Sequence, residues 1–408
     1  MVKRRRQEIL IEMQKMIYLD HNATTPLSQK VIDQIPSILQ AWGNPSSIHW
    51  SGREPKNLIR NARQVLATAL KVSPLEIIFN SGASEGNSAV ILGIYEIFKN
   101  SKNHFMCSQV EHPSVLKAFQ HIEKLGARVD YIPVSRKGEL DLNFFKKHIS
   151  SNTALVSVMM ANNETGNIFP IAELVKMTHA VGALFHSDCV QVLGKIPLNL
   201  SELNVDYATL SAHKFYSLKG TGALFVRKNS PYQKFIFGGG QERSRRGGTE
   251  NTLGIASFGV MANLLDQVVF RQKELAQLRD HMEARILLEI DGVSLTGNQS
   301  ARLPNTSSMV LRDIDGETLL MSLDLKGFAV STGAACSSGS PEPSPVLLAM
   351  GLSRAEAQSS LRISLGWETN LGQIDFFINI LKEVVLRLRN ISQKTNMKEL
   401  SLMREQSL

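Results

Sequence analysis

Between Glu76 and Val226 the chain alternates short apolar runs with longer amphipathic stretches, and this alternation limits its fold more than any other feature. Ile77–Asn80, His104–Gln109, Ala127–Val134, Ala154–Met160 and Ala183–Val190 read as strands, since they are brief, apolar and bounded by turn residues. The segments between them, Ser81–Phe98, Glu111–Gly126, Leu142–Ile149 and Ile171–Gly182, carry apolar residues at helical spacing. A strand that returns to its sheet through a helix runs parallel to its predecessor. The expected core is therefore α/β, a mostly parallel sheet with helices on both faces. Ligands of such sheets bind beyond the carboxyl ends of the strands. The polar clusters fall at those ends: Ser81–Ser84, Glu111–Ser114, Asn162–Gly166, Asp188 and Ser211–Lys214.

The last cluster sits between two more apolar runs, Tyr207–Leu210 and Gly222–Val226, joined by a tight connection. A lysine at the end of a buried strand is costly unless it is paired or used. One use is covalent, because a desolvated amine condenses with an aldehyde. Pyridoxal phosphate needs such an amine, an anion for its ring nitrogen, a flat partner for its ring and donors for its phosphate. Lys214 fits the first role. Asp188 fits the second, His112 the third, and Gly82-Ala83-Ser84 with Ser211 and His213 the fourth. Taken singly, each has a plainer reading: a strand-end lysine reaching water, an aspartate closing a turn, a histidine capping a helix.

Composition narrows the class. Of 408 residues, 43% are hydrophobic and 20% charged, as in a globular protein with a substantial core. The net charge of +8 comes without an arginine-rich, aromatic-interleaved tract beyond the N-terminus, so direct nucleic-acid binding is not expected. Three separated cysteines, Cys107, Cys189 and Cys336, form neither a disulfide framework nor a zinc motif. That usage points to a reducing, cytoplasmic setting. No apolar run is long enough to span a membrane. The segment 1–16 is a basic extension interrupted by Glu8 and Glu12. Residues 17–260 are expected as a large domain, 261–390 as a smaller one with a loop at 331–345, and 391–408 as a weakly structured tail. One long helical stretch, from about Thr252 to Glu289, is expected to bridge the two, and a helix near the N-terminus to be kinked or interrupted at Pro36.

Ten motifs then coincide in order: YLDHNATTP, GNPSSIH, SGASEGN, EHPSV, NNETG, HSDCVQ, SAHK, GGGQERSRRGGTEN, GAACSSGSPEPS and SLRISLG. Together they resemble the cysteine desulfurases of the NifS/IscS type, class V aminotransferase-like enzymes, over roughly Ile17 to Arg389. The resemblance implies fold type I of the pyridoxal-phosphate enzymes, with a seven-stranded sheet in the large domain and a smaller α+β domain. It implies that Lys214 joins the cofactor, His112 stacks on its ring, and Asp188 pairs with the ring nitrogen. Asn163 and Gln191 would stand near the ring hydroxyl. The Ala83 backbone, Ser84, Ser211 and His213 would hold the phosphate, with Thr249 reaching that of a second subunit in a homodimer. Arg362, with Asn163, would bind the substrate. Cys336 would receive the sulfur of L-cysteine as a persulfide, and would serve as a transient iron–sulfur ligand shared with a scaffold partner. No resident metal is implied.

The cysteine loop is similar to that of the long-loop class, which supplies sulfur to iron–sulfur cluster assembly and tRNA thiolation. Departures from the commoner pattern are Ser84 for threonine, Ala212 for glycine, and TGAAC at the cysteine. A selenocysteine lyase or another class V aminotransferase-like enzyme is the alternative, and a non-catalytic scaffold with this fold the third reading. The acceptor is left open among an iron–sulfur scaffold, a tRNA-thiolation relay and a DNA sulfur-modification system.

Overall fold

The protein is described by a computed structural model covering residues 16–332 and 342–405, with the side chains of the last helix described as far as Ile391. β1 (Ile17–Tyr18) opens it. β2 (Ile77–Asn80), β3 (His104–Ser108), β4 (Arg128–Ile132), β5 (Thr153–Ser157), β6 (Leu184–Asp188), β7 (Tyr207–Ser211) and β8 (Gly222–Val226) form one sheet. Its seven strands lie in the order β2-β8-β7-β6-β5-β3-β4. Neighbouring strands from β7 through β4 are parallel, and β8 runs against both β2 and β7. The chain between β7 and β8 is too short for a crossover helix, so this pair closes as an antiparallel hairpin. Every strand of this sheet except β4 is buried along its whole length or nearly so. That explains why these strands read as unbroken apolar runs rather than alternating ones.

Both faces of the sheet are covered. Phe105 and Cys107 enter one core with Ile91, Phe119 and Leu224, while Met106 between them enters the other with Leu66, Phe258 and Leu174. Side chains alternate across a strand, so each parallel strand feeds two cores.

A second body carries β9 (Val293–Leu295), β10 (Thr306–Leu311), β11 (Phe328–Ala329) and β12 (Ser360–Ser364). β12, β10 and β9 form an antiparallel sheet, and β1 pairs in parallel with β11. Its core joins Leu19, Leu275, Met309, Phe328, Leu361 and Phe377. The start of the described chain thus packs with the second body and then leads into the first.

Two local expectations are corrected. The stretch Thr252–Glu289 is two helices, Thr252–Ala262 and Leu265–Glu289, bent by 62°. The first is apolar on all sides and buried against Trp50–Leu70, with Gly259 so near Ala62 that a Cβ would come within 2.7 Å. The second must turn away to reach the other core. The tail is not weakly structured as far as it is described, because the last helix runs Leu371–Glu405. No Gly or Pro follows Gly372 before Glu405, and its lysines, glutamates and leucines sustain a helix. Pro36 lies within the helix Gln29–Leu39 without dividing it. Among the described residues no single helix is long and apolar enough to cross a membrane.

Candidate active site

A cavity of about 530 Å³ opens at the carboxyl ends of β2, β3, β5, β6 and β7, within the range of small-molecule sites. Eleven residues singled out from the sequence line it: Gly82, Ala83, Ser84, His112, Asn163, Asp188, Gln191, Ser211, His213, Lys214 and Arg362. Thr249 does not, and it is exposed. Cys336 lies outside the described residues. The described residues on either side of its loop are tied to the cavity's surroundings. Ser331 exchanges backbone hydrogen bonds with Arg362, at 3.1 and 2.6 Å. Ser344 donates its hydroxyl to Glu164, the residue after Asn163.

Lys214 ends the short turn after β7, and its Nζ donates to the carbonyls of Asn22 and Ala23 at 2.5 and 2.6 Å. Burial, then the Arg362 cation, pushes its pKa down to about 8. An amine so placed is far more often neutral, and so nucleophilic, than a surface lysine. Asp188 closes β6. Its Oδ2 accepts from Asn87 Nδ2 at 2.9 Å and its Oδ1 from the Val190 N–H at 3.0 Å. Asn87 is itself fixed by the Thr209 hydroxyl at 2.6 Å, so the carboxylate is held from the helix Ala83–Phe98.

His112 caps the helix Pro113–Lys124 through Nδ1, which accepts the Ser114 N–H at 3.1 Å. Burial lowers its pKa, which favours the neutral ring. With Nδ1 accepting, the proton belongs on Nε2. The residue is exposed and lines the cavity. At the other end, Gly82 precedes the helix Ala83–Phe98 with φ +151, and nothing lies within 4 Å of where its Cβ would be. Free backbone N–H groups there, with Ser84, Ser211 and His213 beside them, suit an anion. Gly222 lets the hairpin close over this end, since a Cβ would meet the Leu210 carbonyl at 2.6 Å and Gly82 at 2.7 Å.

Arg362, on β12, reaches in from the second body and is 7% exposed. One Nη pairs with Asp20 at 2.8 Å and the other donates to the Asn163 carbonyl at 3.2 Å. Glu164 nearby is raised to about pKa 7 by burial, against the opposing effects of Ser344 and Arg362. Cys107 and Cys189 are fully buried and their thiols are pushed up by that burial, so neither is a poised nucleophile.

Sequence reasoning overlooked Asp20, Asn22, Asn87 and Lys195. Asp20 and Asn22 stood inside a quoted motif without a role, because no spacing relates residue 22 to a lysine at 214. Lys195 carried no signal beyond its position just after Gly194.

The residues present fit pyridoxal phosphate: a depressed amine, a held carboxylate, a neutral ring and an open helix N-terminus converge on one cavity. With the seven-stranded sheet, this places the chain in fold type I of the enzymes that use that cofactor. Residues 17–377 match the aminotransferase class-V family. The chain is 41% identical to the cysteine desulfurase IscS of Dictyoglomus turgidum over 382 residues, covering 93% of this chain and 97% of that one. A solved NifS-like protein superposes with a TM-score of 0.86 at 33% identity, over 91% of this chain and all of that one. Another solved relative, SspA in complex with cysteine, gives 0.75 at 32% identity, over 85% and 98% of the two chains. The chain belongs to the aminotransferase class-V family and, within it, to the cysteine desulfurases.

Proposed function

We propose that this protein converts L-cysteine to L-alanine and passes the sulfur to an acceptor by way of a persulfide on Cys336. The observation that carries the reading is that Lys214, Asp188 and Arg362, from the turn after β7, from β6 and from β12, converge on one cavity. Pyridoxal phosphate bound there would supply the electron sink that makes an amino-acid α-proton removable.

The chain's own residues then divide the work. Lys214 would anchor the cofactor and, as a free amine, would move the α-proton, a task that suits an amine titrating near neutrality. Asp188 would keep the ring nitrogen protonated, His112 would stack on the ring, and Asn163 and Gln191 would serve the ring hydroxyl. The Ala83 N–H, Ser84, Ser211 and His213 would hold the phosphate. Arg362 binds the substrate carboxylate with the planar fork that matches it. The Cys336 thiolate forms an S–S bond to the substrate sulfur as the C–S bond breaks. The electron pair of that bond stays with the three-carbon fragment, which takes a proton and leaves as alanine.

Thr249, exposed and off its own chain's cavity, supports a homodimer in which it serves the partner's phosphate site. The tie between the flanks of the cysteine loop and the cavity supports delivery of sulfur outward to an acceptor protein, with iron–sulfur cluster assembly or tRNA thiolation as the consumer.

The test is to supply L-cysteine and measure alanine and protein persulfide together. Lys214→Ala is expected to abolish both products and the normal visible absorption of the bound cofactor. Cys336→Ala should keep that absorption and form no persulfide. Transamination without sulfur release would sink the desulfurase reading, and sulfur delivery by Cys336→Ala would remove that residue from its role.

A further inference from the structure

One buried amine stands a layer behind the cavity, and the chemistry above does not use it. Lys195 is 5% exposed. Among the described residues no acid pairs with it; Asp20, whose field favours its charge, is engaged by Arg362. Burial and the Lys214 and Arg362 cations push its pKa well below the ordinary lysine range. Burying an amine on these terms is costly, and a methionine would fill the same space more cheaply. What only an amine can do here is donate hydrogen bonds.

Its Nζ donates to Asn22 Oδ1 at 2.6 Å and to the side-chain oxygen of Gln191. The Gln191 Nε2 in turn donates to the Asn22 carbonyl at 3.0 Å. That amide cannot flip without setting its NH2 against the amine and its oxygen against a carbonyl. Lys195 thus fixes which end of Gln191 is oxygen and leaves the second N–H of the amide for the cavity. Asn22 is fixed likewise. With its oxygen on Lys195 at 2.6 Å and on Asn305 Nδ2 at the longer 3.3 Å, its Nδ2 donates to the Asn163 carbonyl at 3.0 Å and to Thr306 Oγ1 at 2.9 Å. The Asn22 backbone carbonyl takes both Gln191 and the Lys214 amine.

The turn that carries Lys195 is pressed onto the Lys214 turn. Gly194 has φ +77, and a Cβ there would fall 2.4 Å from the ring of Phe215, the residue after Lys214. Lys195 and Lys214 also share the wall of one enclosed cavity of about 10 Å³.

We propose that Lys195 is a positioning residue, whose amine fixes Gln191 and Asn22 and through them sets the Gln191 N–H and the Lys214 amine for the cofactor. The inference rests on the pyridoxal-phosphate reading of the cavity. Its test titrates cofactor-free protein with pyridoxal phosphate and follows the visible band, for wild type, Lys195→Met, Gln191→Ala and the double variant.

Lys195→Met is expected to weaken uptake roughly tenfold, the effect of about one good hydrogen bond. The loss should be clearly smaller in the Gln191→Ala background, because the two residues act through one contact. The pH midpoint of the visible band should rise by about one unit, since a donor at the ring oxygen favours the less protonated form. Lys195→Gln, which keeps a donor, should recover part of both effects, and it carries the same cycle if Lys195→Met does not fold. A loss of equal size in both backgrounds, or unchanged uptake with an unmoved pH midpoint, overturns the assignment of Lys195. A wild-type protein that takes up no pyridoxal phosphate overturns the reading of the cavity itself, and the inference with it.

Discussion

Lys214 takes its reactivity from residues distant in sequence. Two carbonyls near the start of the chain hold its Nζ, while burial first, and then a guanidinium from β12, opposes its charge. The ordinary lysine pKa is 10.5, and this one is near 8. Only the neutral amine attacks an aldehyde, so the sign is fixed: reactivity rises with pH and levels off once the folded-state pKa is passed. In the cofactor-free protein, capture of a small aldehyde, trapped by borohydride and mapped to Lys214, should rise about tenfold per pH unit below 8 and flatten above it. A rise that continues toward pH 10 would show an unperturbed lysine. At this scale the sequence announces Lys214, Asp188 and His112 because each stands at a strand end within a polar cluster. It is silent about Lys195 and Asn22, whose mutual contact joins residues 173 positions apart in the chain.

The helix Ala83–Phe98 does two things at once. Its N-terminus faces the cavity beside Ser84, and one turn later Asn87 grips Asp188. Both depend on its seat against β7, where a Cβ on Gly86 would lie 2.8 Å from Thr209 Cγ2. Gly86→Val should therefore lift the helix from the strand at about 1–3 kcal/mol, as overpacking does. Melting temperature and cofactor affinity are expected to fall together, and a variant that melts like wild type would show the seat is loose. The pattern SGASEGN makes a small-residue turn into a helix legible. That its second glycine is a packing contact with a strand more than a hundred residues away is not. The break after Ala262 is similar. Apolar content runs on through the break, so only the positions of two separate cores require the chain to turn there.

At the scale of the molecule, the cavity is made by two bodies. β12 of the second body delivers Arg362, β1 threads from that body into the first, and the flanks of the Cys336 loop tie to both. In the proposed homodimer Thr249 completes the partner's site, and mixed dimers test this directly. Lys214→Ala and Thr249→Ala chains, unfolded together and reassembled, should regain up to half the wild-type activity per mixed dimer if Thr249 acts across the interface. One site of that dimer then keeps both residues. At a cofactor concentration limiting for Thr249→Ala, activity no higher than the sum of the separate variants would place Thr249 in its own chain's site.

Read alone, the sequence determined the α/β class, the strand order in the chain and the polar clusters at the strand ends. It did so because hydrophobic period and turn chemistry are local, and a motif is a local object. Which clusters share a cavity, that Arg362 crosses from one body to the other, and that Lys195 stands behind Lys214 were decided by tertiary packing alone. Those contacts join residues separated by as many as 342 positions, such as Asp20 and Arg362, and no local pattern encodes a contact of that range.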